Sequence, residues 1–200
     1  MNNPSFVKVD NKLYKINTDF RVALECNDIA ENEKISDYER ALAIIYKLFG
    51  EDGLDCKSQD KLLELAIRYL SLDEEEKGSK NEPDANELDF NKCIGLIKSS
   101  FKYDYGYDPY QLEYLHYYDF YNDLQNLSSS EFGSCCVLNR IQGILNMDTK
   151  GLKDKQLRDL KESQSALRKM YCKGINKKLT EDEKQNVANL YKQLGLWKGD

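Results

Sequence analysis

From Phe20 onward the apolar residues of this chain recur at three- and four-residue spacing, segment after segment, with a capping residue before most runs. That period belongs to amphipathic α-helices, each of which must bury one face against other helices, so it restricts the chain to a mainly α fold. Thr18 stands as the N-cap of a helix to about Ala30 that carries Phe20, Ala23, Leu24 and Ile29. Ser36 and Glu39 form a capping box, after which Tyr38, Ala41, Leu42, Ile45, Leu48 and Phe49 keep helical register until Gly50. Ser58 opens a third helix with Leu62, Leu63, Ala66, Ile67 and Leu70. A fourth runs from Asp89 to about Tyr105, with Phe90, Ile94, Ile97 and Phe101 on one face and Gly106 as its stop.

Only the beginning of the chain departs from this period. Phe6–Val9 and Lys12–Ile16 alternate apolar and polar residues about the turn-forming pair Asp10-Asn11, which predicts a short β-hairpin. The whole therefore reads as an N-terminal hairpin followed by a multi-helix bundle.

Asp108-Pro109 restarts the chain after Gly106, with aspartate as N-cap and proline at the first helical position. The helix expected from there to about Leu127 is unusual. On a helical wheel Tyr110, Tyr114, Tyr117, Tyr118, Phe120, Tyr121 and Leu124 make one aromatic face, opposite Glu113, His116, Asp119, Asn122 and Asp123. Such a face is core, because tyrosine buries a large area and needs only its hydroxyl at the rim; tyrosine-rich patches also bind proteins. Tyr110, Tyr114, Tyr117, Tyr118 and Tyr121 are accordingly the candidate partner-binding residues, with Tyr114 and Tyr118 placed at the edge of the face and Tyr117 and Tyr121 near its centre. A sixth helix is expected from about Ser130 to Met147, carrying Phe132, Cys136, Val137, Ile141, Ile144 and Leu145.

Beyond it the composition turns polar. A long helix, Leu152 to Cys172, keeps a stripe of Leu152, Leu157, Leu160, Leu167 and Met170, and a last one begins at the capping box Thr180 to Glu183. The expected organisation is a core domain over residues 1–147 and a polar helical C-terminal extension over 148–200. Charge divides along the same chain. Residues 71–90 hold eight acids against two lysines, whereas 150–200 hold thirteen basic and seven acidic residues. The acidic stretch, with its Gly, Ser and Pro, reads as a mobile surface loop at about 71–88, and the basic segment as a solvated face.

Reactive chemistry is hard to assemble from these residues. The single histidine, His116, excludes a two-histidine metal site, and its neighbours Asp119 and Asp123 read as incidental members of a helix polar face. No nucleophile elbow, phosphate-binding loop or dinucleotide fingerprint occurs in the sequence. Six cysteines without a C-x-x-C pair read as free thiols of a reducing compartment, not as a disulfide framework. No apolar run approaches the length of a membrane span, and the first residues lack a secretory pattern. The expectation is a binding protein without catalytic residue, metal or cofactor. Nucleic acid is a poor candidate partner at a pI of about 5.1.

Two segments carry a family likeness. FRVALEC (Phe20–Cys26) and YGYDPYQLEYLHYYDFYNDLQNLSSSEFGSCCVLNRI (Tyr105–Ile141) resemble the bacteriophage gene-product-fifteen family. Its hallmark is a Tyr-Gly-hydrophobe-Asp turn, a helix with His followed by two aromatics and a Phe, and a downstream Arg. Those positions match Tyr105, Gly106, Tyr107 and Asp108, then His116, Tyr117, Tyr118 and Phe120, then Arg140. The likeness covers about Tyr14 to Met147. Two tyrosines stand where tryptophans are usual, and Pro109 replaces an aliphatic residue. The resemblance implies a phage or prophage gene between those of the major tail protein and the tape-measure protein, and a tail-assembly chaperone that keeps the tape-measure protein soluble in the host bacterial cytoplasm. A minor structural tail or neck component, or a phage regulatory DNA-binding protein, is the alternative.

Like charges repel and the acidic stretch has little to bury, so replacing Asp73–Glu87 with a short Gly/Ser linker should leave the melting temperature nearly unchanged; a large drop would mean that the stretch is packed.

Overall fold

The structure, a computed structural model, describes residues 3–72, 88–127 and 136–173. Among these it is mainly helical with one two-stranded antiparallel hairpin, β1 (Phe6–Val9) and β2 (Lys12–Lys15). Asp10 and Asn11 both adopt positive φ, the conformation that a two-residue turn matching the strand twist demands. The register pairs Phe6 with Lys15, Val7 with Tyr14, Lys8 with Leu13 and Val9 with Lys12. Alternation then turns Val9 and Tyr14 into the core and leaves Phe6 and Leu13 outside.

Eight α-helices follow among the described residues: α1 (Phe20–Ala30), α2 (Asp37–Phe49), α3 (Glu51–Leu54), α4 (Gln59–Leu70), α5 (Phe90–Asp104), α6 (Tyr117–Gln125), α7 (Val137–Leu145) and α8 (Asp154–Tyr171). The capping box Ser36–Glu39 forms at the start of α2, and Gly50, at φ 65°, ends it. Two expected caps are used otherwise. Asp19, not Thr18, caps α1, its carboxylate accepting the Arg21 backbone N–H at 2.9 Å. Ser58 precedes α4 without capping it, because its hydroxyl donates to Asp10 in the hairpin turn. The small helix α3 escaped the sequence pattern, being one turn long; it lies tight on α2, where a Cβ on Gly53 would come within 2.7 Å of the Phe49 Cβ.

The expected helix from Asp108 to Leu127 does not exist as one element. A 3-10 turn, Pro109–Gln111, is followed by a bend at Leu112–Glu113 and irregular backbone, and α6 begins only at Tyr117. In a continuous helix the Leu112 carbonyl would accept the His116 N–H; here the Arg21 guanidinium takes the carbonyls of Leu112 and Glu113, at 3.2 and 2.8 Å. The expected loop over 73–87, the first turns of the sixth helix before Cys136 and the helix from Thr180 fall outside the described residues.

The chain divides into two compact units. The first comprises Met1–Ser79 with Gln111–Gln125, the second Lys80–Tyr110 with Asn126–Asp200. In the first, α1 packs on α2, α4 and α6, and α4 also meets β1. Its interior includes Phe20, Ala23, Cys26, Ile45, Leu48, Leu62, Ala66 and Phe120. In the second, α5, α7 and α8 pack on one another around Ile141, Ile144, Leu145, Leu167 and Cys172. There Gln164 is buried on α8 and donates to the Ile144 carbonyl at 2.9 Å, near the C-terminus of α7, so the polar helix is bonded as well as packed.

Cys26, Cys56, Cys93, Cys136 and Cys172 are unbridged and buried. Burial pushes the Cys26 and Cys93 thiols up to about 12, which leaves almost no thiolate near neutrality. In native protein at pH 8 these five cysteines should therefore react slowly with a thiol-specific disulfide reagent, and all six should titrate in denaturant. Three disulfides in freshly purified material would contradict this.

Candidate protein-binding surface

The first unit closes on itself at the N-terminus of α1. The segment Leu112–His116 lies beside it, 96 residues away in sequence at Thr18 and Tyr114. The Phe20 N–H donates to the Leu115 carbonyl at 3.0 Å and the Tyr117 N–H to the Thr18 carbonyl at 2.8 Å, while Asp19 and His116 form an antiparallel bridge. Arg21 binds both oxygens of Asp19, at 2.8 and 2.6 Å, and donates onward to the two carbonyls. Asp19 in turn holds the guanidinium charged, pushing its pKa up.

His116 is buried, not exposed on a helix polar face as the sequence suggests. Its Nδ1 accepts the Tyr118 backbone N–H at 3.1 Å, so the imidazole serves as the N-cap of α6. With Nδ1 accepting, the proton sits on Nε2, which faces the Pro4 carbonyl at 3.4 Å. Phe120, one turn on, stacks against Phe20 with ring centroids 4.2 Å apart.

Tyr117 and Tyr118 are also interior. Their hydroxyls donate to the carbonyls of Leu70, at 3.0 Å, and Tyr69, at 3.3 Å. Those are last-turn carbonyls of α4; that of Tyr69 also accepts the Leu72 N–H at 3.1 Å, so α6 completes the C-terminal cap of α4 through two tyrosine side chains. Tyr69 stacks on Tyr118 at 5.2 Å and meets Tyr117 at 5.8 Å. Its own hydroxyl is buried with no hydrogen-bond partner, and burial drives its pKa upward. Burial likewise pushes Tyr117 up to about 12.

The candidate tyrosines thus part company. Tyr118, expected at the edge of an aromatic face, is as buried as Tyr117. Tyr121 is half-buried, 6.4 Å from Tyr117. Tyr114 is 54% exposed although its hydroxyl bonds Thr18 at 2.6 Å. Tyr110 belongs to the second unit, where Lys98 stands over its ring at 5.1 Å. The interruption of the expected helix at residues 112–116 separates Tyr110 from Tyr117, Tyr118 and Tyr121.

Large apolar side chains are exposed elsewhere on the first unit. Phe6 and Leu13 share the outer face of the hairpin, and Tyr38 and Tyr46 follow each other along one edge of α2 at i and i+8 with Leu42 between. The sequence held a signal for the first pair, since strand alternation puts Phe6, Lys8, Leu13 and Lys15 on the face opposite Val9 and Tyr14.

The profile of the family described as Bacteriophage Gp15 protein matches residues 1–172. The chain belongs to that family. Comparison with curated proteins and with solved structures found no match. The residues that carry the Gp15 likeness are those just described: Phe20, His116, Tyr117, Tyr118 and Phe120 form the closure of the first unit. In the second, Gly106 turns at φ 78° and Tyr105 and Tyr107 set their rings edge-on to Phe101, at 5.6 and 5.7 Å. Asp108 there accepts the Tyr110 N–H at 2.9 Å. The Gp15 hallmark is in these places a set of structural contacts.

Phe120→Ala should cost about 3–5 kcal/mol, as loss of a fully buried aromatic does, and Tyr114→Phe less than about 1 kcal/mol. Tyr69→Phe removes an orphan hydroxyl and should be neutral or stabilise by about 1 kcal/mol in denaturant melts. Marked destabilisation by Tyr69→Phe would mean that the hydroxyl is bonded.

Proposed function

We propose that this Gp15-family phage protein is a tail-assembly chaperone that binds the tape-measure protein and keeps it soluble in the host bacterial cytoplasm during tail morphogenesis. It acts by binding, without catalytic residue, metal or cofactor. The observation that carries the reading is the exposure of paired large apolar side chains on a folded unit. Scattered exposed hydrophobes are ordinary, but Phe6 with Leu13 and Tyr38 with Tyr46 each share one face of one element, as contact residues for a partner do. A holdase needs such surfaces on a scaffold that does not itself unfold or aggregate. The stacked and capped interior of the first unit supplies that rigidity, and the net charge of −6 supports solubility. Preferential binding to the unassembled partner then stabilises it by mass action.

Within the same biology a minor structural tail or neck component is the competing reading. Co-expression with the adjacent tape-measure gene separates the two. The chaperone should raise tape-measure solubility and co-purify with it, and should be missing from purified virions. An insoluble tape-measure protein with no complex, or stoichiometric copies in virions, would replace the chaperone by the structural component.

A further inference from the structure

The outer face of the hairpin carries four side chains in a checkerboard. Phe6 stands opposite Lys15 and Lys8 opposite Leu13, so the two apolar residues lie on one diagonal and the two lysines on the other. Phe6 is 56% and Leu13 64% exposed. The other charges of the hairpin are satisfied within the unit: Lys12 pairs with Asp52 and Asp10 with Lys61. Lys8 and Lys15 have no acidic partner among the described residues. On an acidic chain this is a small basic and apolar face that nothing described covers.

We infer that this face docks an acidic amphipathic helix of the partner protein. Diagonal residues of a two-stranded sheet lie about 7–8 Å apart, close to the roughly 6 Å between side chains at i and i+4 of a helix. A helix laid across the strands can seat two such apolar residues on Phe6 and Leu13 while carboxylates beside them reach Lys8 and Lys15. A second copy of the same face fits badly, since a two-fold contact would bring four lysines together. Four side chains fall far short of the ~800 Å² per partner of a stable pair, so this face alone binds weakly. The helical character of the partner rests on the chaperone reading; the charge and apolar pattern rest on the hairpin.

The test uses the full-length isotope-labelled protein and two synthetic amphipathic helical peptides, one with leucines at i and i+4 flanked by glutamates, the other with lysines in place of the glutamates. The glutamate peptide should shift the amide resonances of Phe6–Lys15 and bind at least about tenfold more tightly than its lysine counterpart. Phe6→Ser with Leu13→Ser should weaken it about tenfold with an unchanged melting temperature, because both side chains are exposed. Lys8→Glu with Lys15→Glu should reverse the preference between peptides. No shift at the hairpin, or equal binding of the two peptides, overturns the inference. Shifts that emerge only when the acidic stretch 73–87 is replaced by Gly/Ser would make that stretch the occupant and overturn it too. In the co-expression assay, a Phe6→Ser, Leu13→Ser variant that retains the tape-measure protein as well as wild type removes this face from the interaction and leaves the chaperone intact. A wild type that docks the glutamate peptide yet leaves the tape-measure protein insoluble removes the chaperone and leaves the face.

Discussion

The pairing of Leu112–Phe120 with the start of α1 is the contact on which the first unit depends. It brings residues nearly a hundred positions apart into one layer, and without it α1 and α4 each lose a covering face. The Asp19–Arg21 pair at its rim is partly exposed and contributes little as charge alone, less than about 1 kcal/mol. Burial of Phe20 and Phe120 contributes more, on the order of 2–3 kcal/mol each. The division of labour follows from these magnitudes. The phenylalanines hold the segment down, and Arg21, His116 and Thr18 fix its backbone by bonding its N–H and C=O groups.

How far this was legible in the sequence depends on the range of the interactions that decide each element. The hairpin, α2 with its capping box, α5 and α8 follow from local pattern, because turn chemistry, caps and apolar period all act within a few residues. The helix expected from Asp108 failed for the opposite reason. Residues 110–124 carry a good helical stripe, yet Arg21 captures the carbonyls of Leu112 and Glu113 from outside the segment, and a tertiary bond outweighs a weak local preference. The same capture moved the α1 cap from Thr18 to Asp19, since Thr18 is engaged with Tyr114 and Tyr117. His116, assigned by spacing to a polar face, became the cap of α6. Nothing local distinguishes those uses.

The placement of the candidate tyrosines was not legible in their spacing. Excess tyrosine pointed to a surface that meets other proteins, but Tyr117 and Tyr118 are consumed in closing α4, and the exposed apolar pairs lie on the hairpin and on α2. The hallmark residues His116, Tyr117, Tyr118 and Phe120 sit in the closure, where they pack and cap the first unit. The surfaces proposed to bind a partner sit on other elements, where a change of residue leaves the interior untouched.

Native-state hydrogen exchange measures the dependence on the closure most directly. The amides of Phe20 and Tyr117 are protected only while the 112–120 segment is docked, whereas that of Ile45 is protected within α2. If the closure holds the first unit together, the three exchange with one common free energy, and Phe120→Ala lowers all of them by the same amount. If Phe20 and Tyr117 exchange at a far lower free energy than Ile45, and Phe120→Ala leaves Ile45 unaffected, α1–α4 stand without the returning segment and the closure is peripheral.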